Sequence, residues 1–339
     1  MNNNSYLIAF ILSLALVIAA IGCSGSKETT DERRYFWPEP PDPPRVEYVR
    51  TLHGESDFAG GLSGLLRSIT GGSGGAGFAR PFDICIAGDG KYYITDAVAG
   101  VIFYDSKNKK VEQVGDESVI ELKDPRGIAY AHGKLFIGLA GSGKVAVLDD
   151  QGKVIRAIGH DGRFQNPVDI VCDTTRRRVY VFDIKQDQIT AFTEEGDSLF
   201  TVGTPGEGDG QLHYPISGAV DSAGNLYVVD SFNFRVVVFD STGKYLRKFG
   251  RQGDYFGDFA RPKGIALDSY GNIYVVDGVH QHFQIFNNAG ELLMFVGKYS
   301  FGNDGFQNPV SIAIDGHNTI YVTDHMNARV QVFQLLEGN

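Results

Sequence analysis

The sequence predicts an all-β fold, a six-bladed β-propeller of four-stranded antiparallel blades whose last blade is completed by an N-terminal strand. Three observations predict it. The stretch from Pro215 to Gly250 holds four short runs rich in β-branched and aromatic residues, each ended by turn residues, as an antiparallel meander requires. Six prolines, Pro81, Pro125, Pro167, Pro215, Pro262 and Pro309, open copies of this unit at spacings of 44, 42, 48, 47 and 47 residues. One meander cannot bury both of its faces alone, so a period in the forties with four strands per unit means radial repetition. The sixth copy stops after its third strand, and a spare fourth strand, from Arg45 to Gly54, lies ahead of the first copy. Pairing it beside the stretch from Arg329 to Phe333 closes the ring and removes the open edges. The chain of 339 residues is therefore one domain over 45–339.

The chain begins with an apolar run from Leu7 to Ile21, 15 residues without a charge. That is shorter than the ~20 residues a spanning helix needs and suits the core of a signal peptide. The run ends in Ala20-Ile-Gly-Cys23-Ser-Gly-Ser, which resembles the bacterial lipobox, departing from it in having Ala at position 20. The resemblance implies cleavage after residue 22, a lipid on Cys23, and a protein held in the bacterial cell envelope. Ser24 after the cysteine implies the outer membrane, because Asp is the inner-membrane signal at that position. Residues 23–44 then read as a lipidated cysteine and a tether, with Trp37-Pro-Glu-Pro-Pro-Asp-Pro-Pro44 extended and stiff.

After the closing strand, residues 55–79 form an insertion. Leu62, Leu65, Leu66 and Ile69 fall on one face of a short helix there, followed by a glycine-rich hinge. From Pro81 the units follow in order. Second strands end in Asp96, Asp183, Asp230, Asp277 and Asp324, with Gly138 in unit two, and third strands read like Arg235-Val-Val-Val-Phe239. The pattern Pro262-Lys-Gly-Ile-Ala-Leu-Asp268, Asn272-Ile-Tyr-Val-Val-Asp277 and Asn327-Ala-Arg-Val-Gln-Val-Phe333 resembles the NHL repeat. That resemblance spans residues 45–336 and implies a six-bladed propeller of NHL type; it says little about activity.

Net charge is −10, which argues against a nucleic-acid partner. Three cysteines cannot form a disulfide framework, and Cys85 and Cys172 stand on innermost strands of units one and three, as buried free thiols. The aspartates that end the second strands recur in almost every unit, as a bonded turn per blade would. No Gly-x-Ser-x-Gly, His-Glu-x-x-His or phosphate loop occurs.

Loops entering the first strands, and turns between strands two and three, share one face and vary between units; the opposite turns are short and near-identical. Variable loops on a rigid scaffold are where binding sits. On that face His280 and His282 point to the same side of an extended segment, and His325 lies in the next unit. His282 also stands where other units have Arg235 and Arg329. Peptide-amidating lyases are zinc propellers with similar repeats, and in that family zinc histidines directly follow repeat prolines. The corresponding positions here are Phe82, Arg126, Val168, Ile216, Lys263 and Val310. Arg126 and Lys263 break the repeat with charge near the channel mouth, and Arg80 and Arg261 precede two of the prolines. Together with Phe232, His280, His282 and His325 they are the candidate ligand- or partner-binding residues. The expected function is a non-catalytic binding or scaffold module for an envelope protein or polymer, monomeric, with no cofactor. The alternative is a metal-dependent hydrolase or lyase, with zinc or calcium at the channel mouth.

Overall fold

Second strands of the repeats are apolar on both sides, and the structure shows why. In Leu226–Asp230 all five residues are buried, because the strand is sandwiched between neighbouring blades. The outer strand Tyr245–Phe249 alternates half-buried and exposed positions instead, since only one side meets a neighbour. The computed structural model describes residues 34–58, 77–115, 121–159 and 162–336. It is a six-bladed propeller of antiparallel sheets.

The innermost strands Pro81–Gly88, Pro125–Ala131, Pro167–Asp173, Pro215–Val220, Pro262–Leu267 and Pro309–Ile314 pack side by side in that order, and the last returns to the first. They line a central channel. The core is divided among the six joints between blades. Phe182, Ile189, Val228 and Phe239 fill the joint between blades 3 and 4, and Phe283, Phe306 and Phe333 that between blades 5 and 6. Each such side chain contributes about 1.5–3 kcal/mol on burial.

The ring closes as the sequence predicts. Val46–Leu52 runs antiparallel to Arg329–Leu335, with Tyr48 opposite Phe333 and Leu52 opposite Val330. The sheet extends further toward the N-terminus than the expected boundary at residue 45. Phe36–Trp37 adds a fifth strand to the last blade, and Trp37 is buried with its ring 5.6 Å from that of Phe333. An indole in the middle of a tether finds core to enter, so this part of the tether is propeller. Of the insertion, Glu55–Phe58 is a single 3-10 turn, with Phe58 5.2 Å from Tyr104. The helix expected over residues 62–69, the signal segment 1–22 and Cys23 lie outside the described residues.

Two repeated devices shape the blade rims. The fourth strands of blades 2 to 6 each carry a β-bulge, at Ile155, Leu199, Leu246, Leu293 and Val49, which bends the outer part of the blade out of register. On the loop face, Gly250 and Gly297 end outer strands with positive φ of 91° and 97°. The entry-loop rings of Phe259 and Phe306 lie over them; a Cβ at either glycine would stand 2.5 Å from a ring carbon.

Candidate functional site

In five of the six blades the aspartate that ends the second strand ties the entry loop to its blade; in blade 2 the register puts Leu139 in that place, opposite Pro125, one residue beyond the expected Gly138. Asp230 accepts from the backbone N–H of His213 at 2.6 Å, from Asn233 Nδ2 at 2.7 Å and from Arg235 Nε at 2.8 Å. Arg235 spends its remaining donors on the carbonyls of Glu207, Gly208 and Gln211. Asp324 and Arg329 repeat the arrangement in blade 6, with the carbonyls of Phe301, Gly302 and Gly305. These carboxylates are turn hardware.

The mouth of the channel on this face is a cavity of about 420 Å³. All six residues that follow the repeat prolines line it, so it holds Arg126 and Lys263 among apolar walls, with Arg261 at the rim. Arg126 is already engaged. Its Nε lies 2.9 Å from Asp124 Oδ1, and its guanidinium sits 3.9 Å above the Phe82 ring. Lys263 donates to Asn308 Oδ1 and faces no carboxylate at ion-pair distance among the described residues. Burial, helped by the charge of Arg261, pulls its ammonium down to about 8. Arg261 and the exposed Arg80 likewise enter no ion pair among the described residues. Arg80 does not line the cavity.

His325 joins this site from blade 6: its ring lies 4.8 Å from Phe82 and its Nδ1 3.1 Å from the Pro81 carbonyl, and burial lowers its pKa. Phe232 reaches it indirectly, stacked on Tyr214 at 4.3 Å and 10°. His280 and His282 form a separate pair in blade 5, with ring centroids 5.3 Å apart. Burial and then His280 push His282 down to about 4. Among the described residues neither His280 nitrogen nor His282 Nε2 has a hydrogen-bond partner, although His280 Nδ1 lies 3.6 Å from Asp277 Oδ2. The sequence groups three histidines; the fold pairs two and sends the third to the channel. Among the described residues no three His, Cys, Asp or Glu side chains are grouped to hold a metal ion. Cys85 and Cys172 are free thiols lining the channel below, Cys85 buried and Cys172 half-buried, and burial pushes both pKa values up.

Sequence reasoning missed the layer beneath the cations. Asp83 and Asp169 line the same cavity, two residues after their prolines, where the other blades have Gly or Ser. Burial pushes Asp83 up to about 6, and burial with the charge of Asp83 raises Asp169 well above the carboxylate range. Their break from the repeat is the signal that could have found them.

Comparison with known proteins matches two family models to the chain. One, described as a 6-bladed beta-propeller, covers residues 211–283, and the NHL repeat covers residues 306–333. The chain is an NHL-repeat six-bladed β-propeller. No curated protein matches it by sequence. Solved structures similar to this NHL propeller include an auxiliary nutrient binding protein from Bacteroides thetaiotaomicron, at 15% identity and TM-score 0.60 over 77% of this chain and 70% of that one. A luciferin-regenerating enzyme superposes with TM-score 0.59 at 14% identity, over 77% and 92% of the two chains. The catalytically inactive virginiamycin B lyase from Staphylococcus aureus with quinupristin gives 0.57 at 16%, over 78% and 82%. At such identities the likeness is one of fold.

Proposed function

We propose that this NHL propeller is a non-catalytic binding module of the bacterial cell envelope, cleaved after residue 22, anchored through a lipid on Cys23, and engaging a partner protein with its loop face. The observation that carries the reading is the distribution of exposed apolar side chains. Phe232, Tyr255, Phe256, Val279, Phe301 and Met326 all stand on the loop face of blades 4 to 6, with Tyr255 81% and Phe301 71% exposed. Arg126, Arg261 and Lys263 open onto the same face, with His325 against Phe82 and the exposed Arg80 next to Pro81, while His280 and His282 keep to their own pair in blade 5. The opposite turns offer Tyr270 as their exposed large apolar residue among the described residues. An apolar crescent of this kind next to cations suits a partner surface that carries apolar and acidic side chains. The fold neighbours include lyases as well as a nutrient binding protein, so the fold favours neither activity.

The test is crosslinking of the full-length tagged protein in its native envelope. Serine at Phe232, Phe256 and Phe301 together removes a stoichiometric partner. Serine at the bulge residues Val49, Leu199 and Leu246 leaves it. Partner retention by the first triple variant, with loss in the second, refutes the loop-face reading. Cys23→Ala releases the protein from membranes; continued membrane attachment of that variant refutes the lipid anchor.

A further inference from the structure

At the channel mouth two rings of side chains are stacked, one residue apart along each innermost strand. The upper ring runs Phe82, Arg126, Val168, Ile216, Lys263, Val310, and the lower ring runs Asp83, Gly127, Asp169, Ser217, Gly264, Ser311. Blades 1–3 and 4–6 therefore repeat one another: a cation over glycine in the middle, flanked below by a polar pair. Because the inner strands pack in chain order around the ring, Arg126 and Lys263 face each other across the mouth. The two halves differ in their charge balance. Arg126 is neutralised by Asp124 and covered by Phe82. Lys263 and its neighbour Arg261 have no ion-pair partner among the described residues, and beneath Lys263 the strand offers only Gly264, pressed so close to blade 6 that a Cβ would stand 2.7 Å from Ser311 Cα.

The lower ring has the opposite surplus. Asp83 accepts from Ile84 N–H and Ile128 N–H, each at 2.8 Å, and from the Ser311 hydroxyl. Asp169 accepts from Ile170 N–H at 2.8 Å and Gly218 N–H at 2.9 Å, with Ser217 beside it. A carboxylate offers about four acceptor sites, so each keeps one for a donor in the cavity. No basic side chain forms an ion pair with either among the described residues. The cavity thus holds, among the described residues, cations without an ion-pair partner at one wall of its rim and buried acids at its floor, with apolar wall between them.

We propose that the channel mouth binds a small dipolar ligand of the amino-acid class, its carboxylate on Lys263 and Arg261 and its ammonium at Asp83 and Asp169. The volume of about 420 Å³ is that of a small-molecule pocket and too small for a folded surface. Phe82, Val168, Ile216 and Val310 supply apolar walls for the carbon chain between the charges. This rests on the loop face being the binding face, and it names what enters the mouth rather than what covers the crescent.

Calorimetric titration of the full-length chain in detergent tests it. The probes are the ω-amino carboxylates from glycine to 6-aminohexanoate, with pentanoate and pentylamine as single-charge controls. Affinity should peak at one chain length, with that amino acid at least about tenfold tighter than either control. Lys263→Met should weaken it about tenfold and leave pentylamine unchanged, and Asp169→Asn should weaken both. Should Asp169→Asn fail to fold, Arg261→Met at the exposed rim reports the carboxylate end alone. A flat series, controls as tight as the amino acids, or binding of glucuronate in their place overturns the assignment. Serine at Phe256 and Phe301, neither of which lines the cavity, leaves this titration unchanged, so failure of one reading is separable from failure of the other.

Discussion

Asp230 and Asp324 end second strands of blades 4 and 6 with every partner in place, whereas Asp83 and Asp169 face an open cavity from innermost strands of blades 1 and 3. Burial pushes all four carboxyls up, but the first pair have a guanidinium 2.8 Å away and the second pair have, among the described residues, only N–H and O–H donors. The difference teaches how to read a repeat protein. A buried charge that recurs with its counter-ion in several blades is part of the blade. A buried acid that recurs in two blades without a basic partner stands outside the bonding that the blades share.

The largest expected effect breaks the first member of this comparison. Asp324→Ala strands Arg329 in a buried site and removes the acceptor of Asn327 and of the Gln307 N–H. Removing one partner of a buried pair costs roughly 3–5 kcal/mol, read as a lower denaturation midpoint in guanidinium chloride. A loss below about 1 kcal/mol would mean that the recurring aspartates do not hold the entry loops.

A smaller effect sharpens the second member. The folded pKa of Asp83, about 6, lies above its ordinary 3.8, so its contribution to stability is whole below 3.8 and is lost as pH rises through 6. Asp83→Asn gives up one acceptor and costs on the order of 1–2 kcal/mol near pH 4. By about pH 7 the gap to the parent should narrow by on the order of 1 kcal/mol, because the variant has no charge to desolvate. Denaturation curves at the two pH values check this, and parallel curves would place Asp83 in contact with bulk water.

How much of this was legible follows from the same contrast. The period, the blade order and the closing strand from Arg45 onward depend on spacing and apolar pattern, which a linear sequence displays. Asp83 and Asp169 did not stand out, because a polar residue two after a proline looks like strand entry, as Ser217 and Ser311 do. Only closure of the ring brings those four side chains to one level of one channel. The histidines teach the converse. The extended segment expected to carry both His280 and His282 is a turn that ends where the strand His282–Phe286 begins, so the turn rather than strand alternation sets their rings 5.3 Å apart; His325 follows the Pro81 carbonyl and Phe82 of blade 1, a neighbour that only the closed ring supplies.

The smallest effect concerns blade 5, where His282 stands in the place of Arg235 and Arg329. Without an arginine, the entry loop of this blade is held by Gln284, which accepts from Gly257 N–H at 2.7 Å and donates to the Asp258 carbonyl at 2.8 Å. His282 itself is buried among His280, Asp277 and Phe295, with its pKa pushed to about 4 from an ordinary 6.5. A base whose folded pKa is depressed stabilises the fold in full above 6.5, and that stability is lost as pH falls toward 4. His282→Arg restores a permanent charge beside Asp277, in the geometry that Asp230 and Asp324 use. Near pH 7.5 the exchange should be close to neutral, within about 0.5 kcal/mol, since Gln284 already holds the loop. Near pH 5 the variant should be the more stable by on the order of 1 kcal/mol, because only the parent then pays for an unprotonated imidazole. Thermal unfolding at the two pH values reads the difference. An equal gap at both would mean that His282 does not titrate in this window, and that blade 5 replaces the arginine clasp without acquiring any sensitivity to acid.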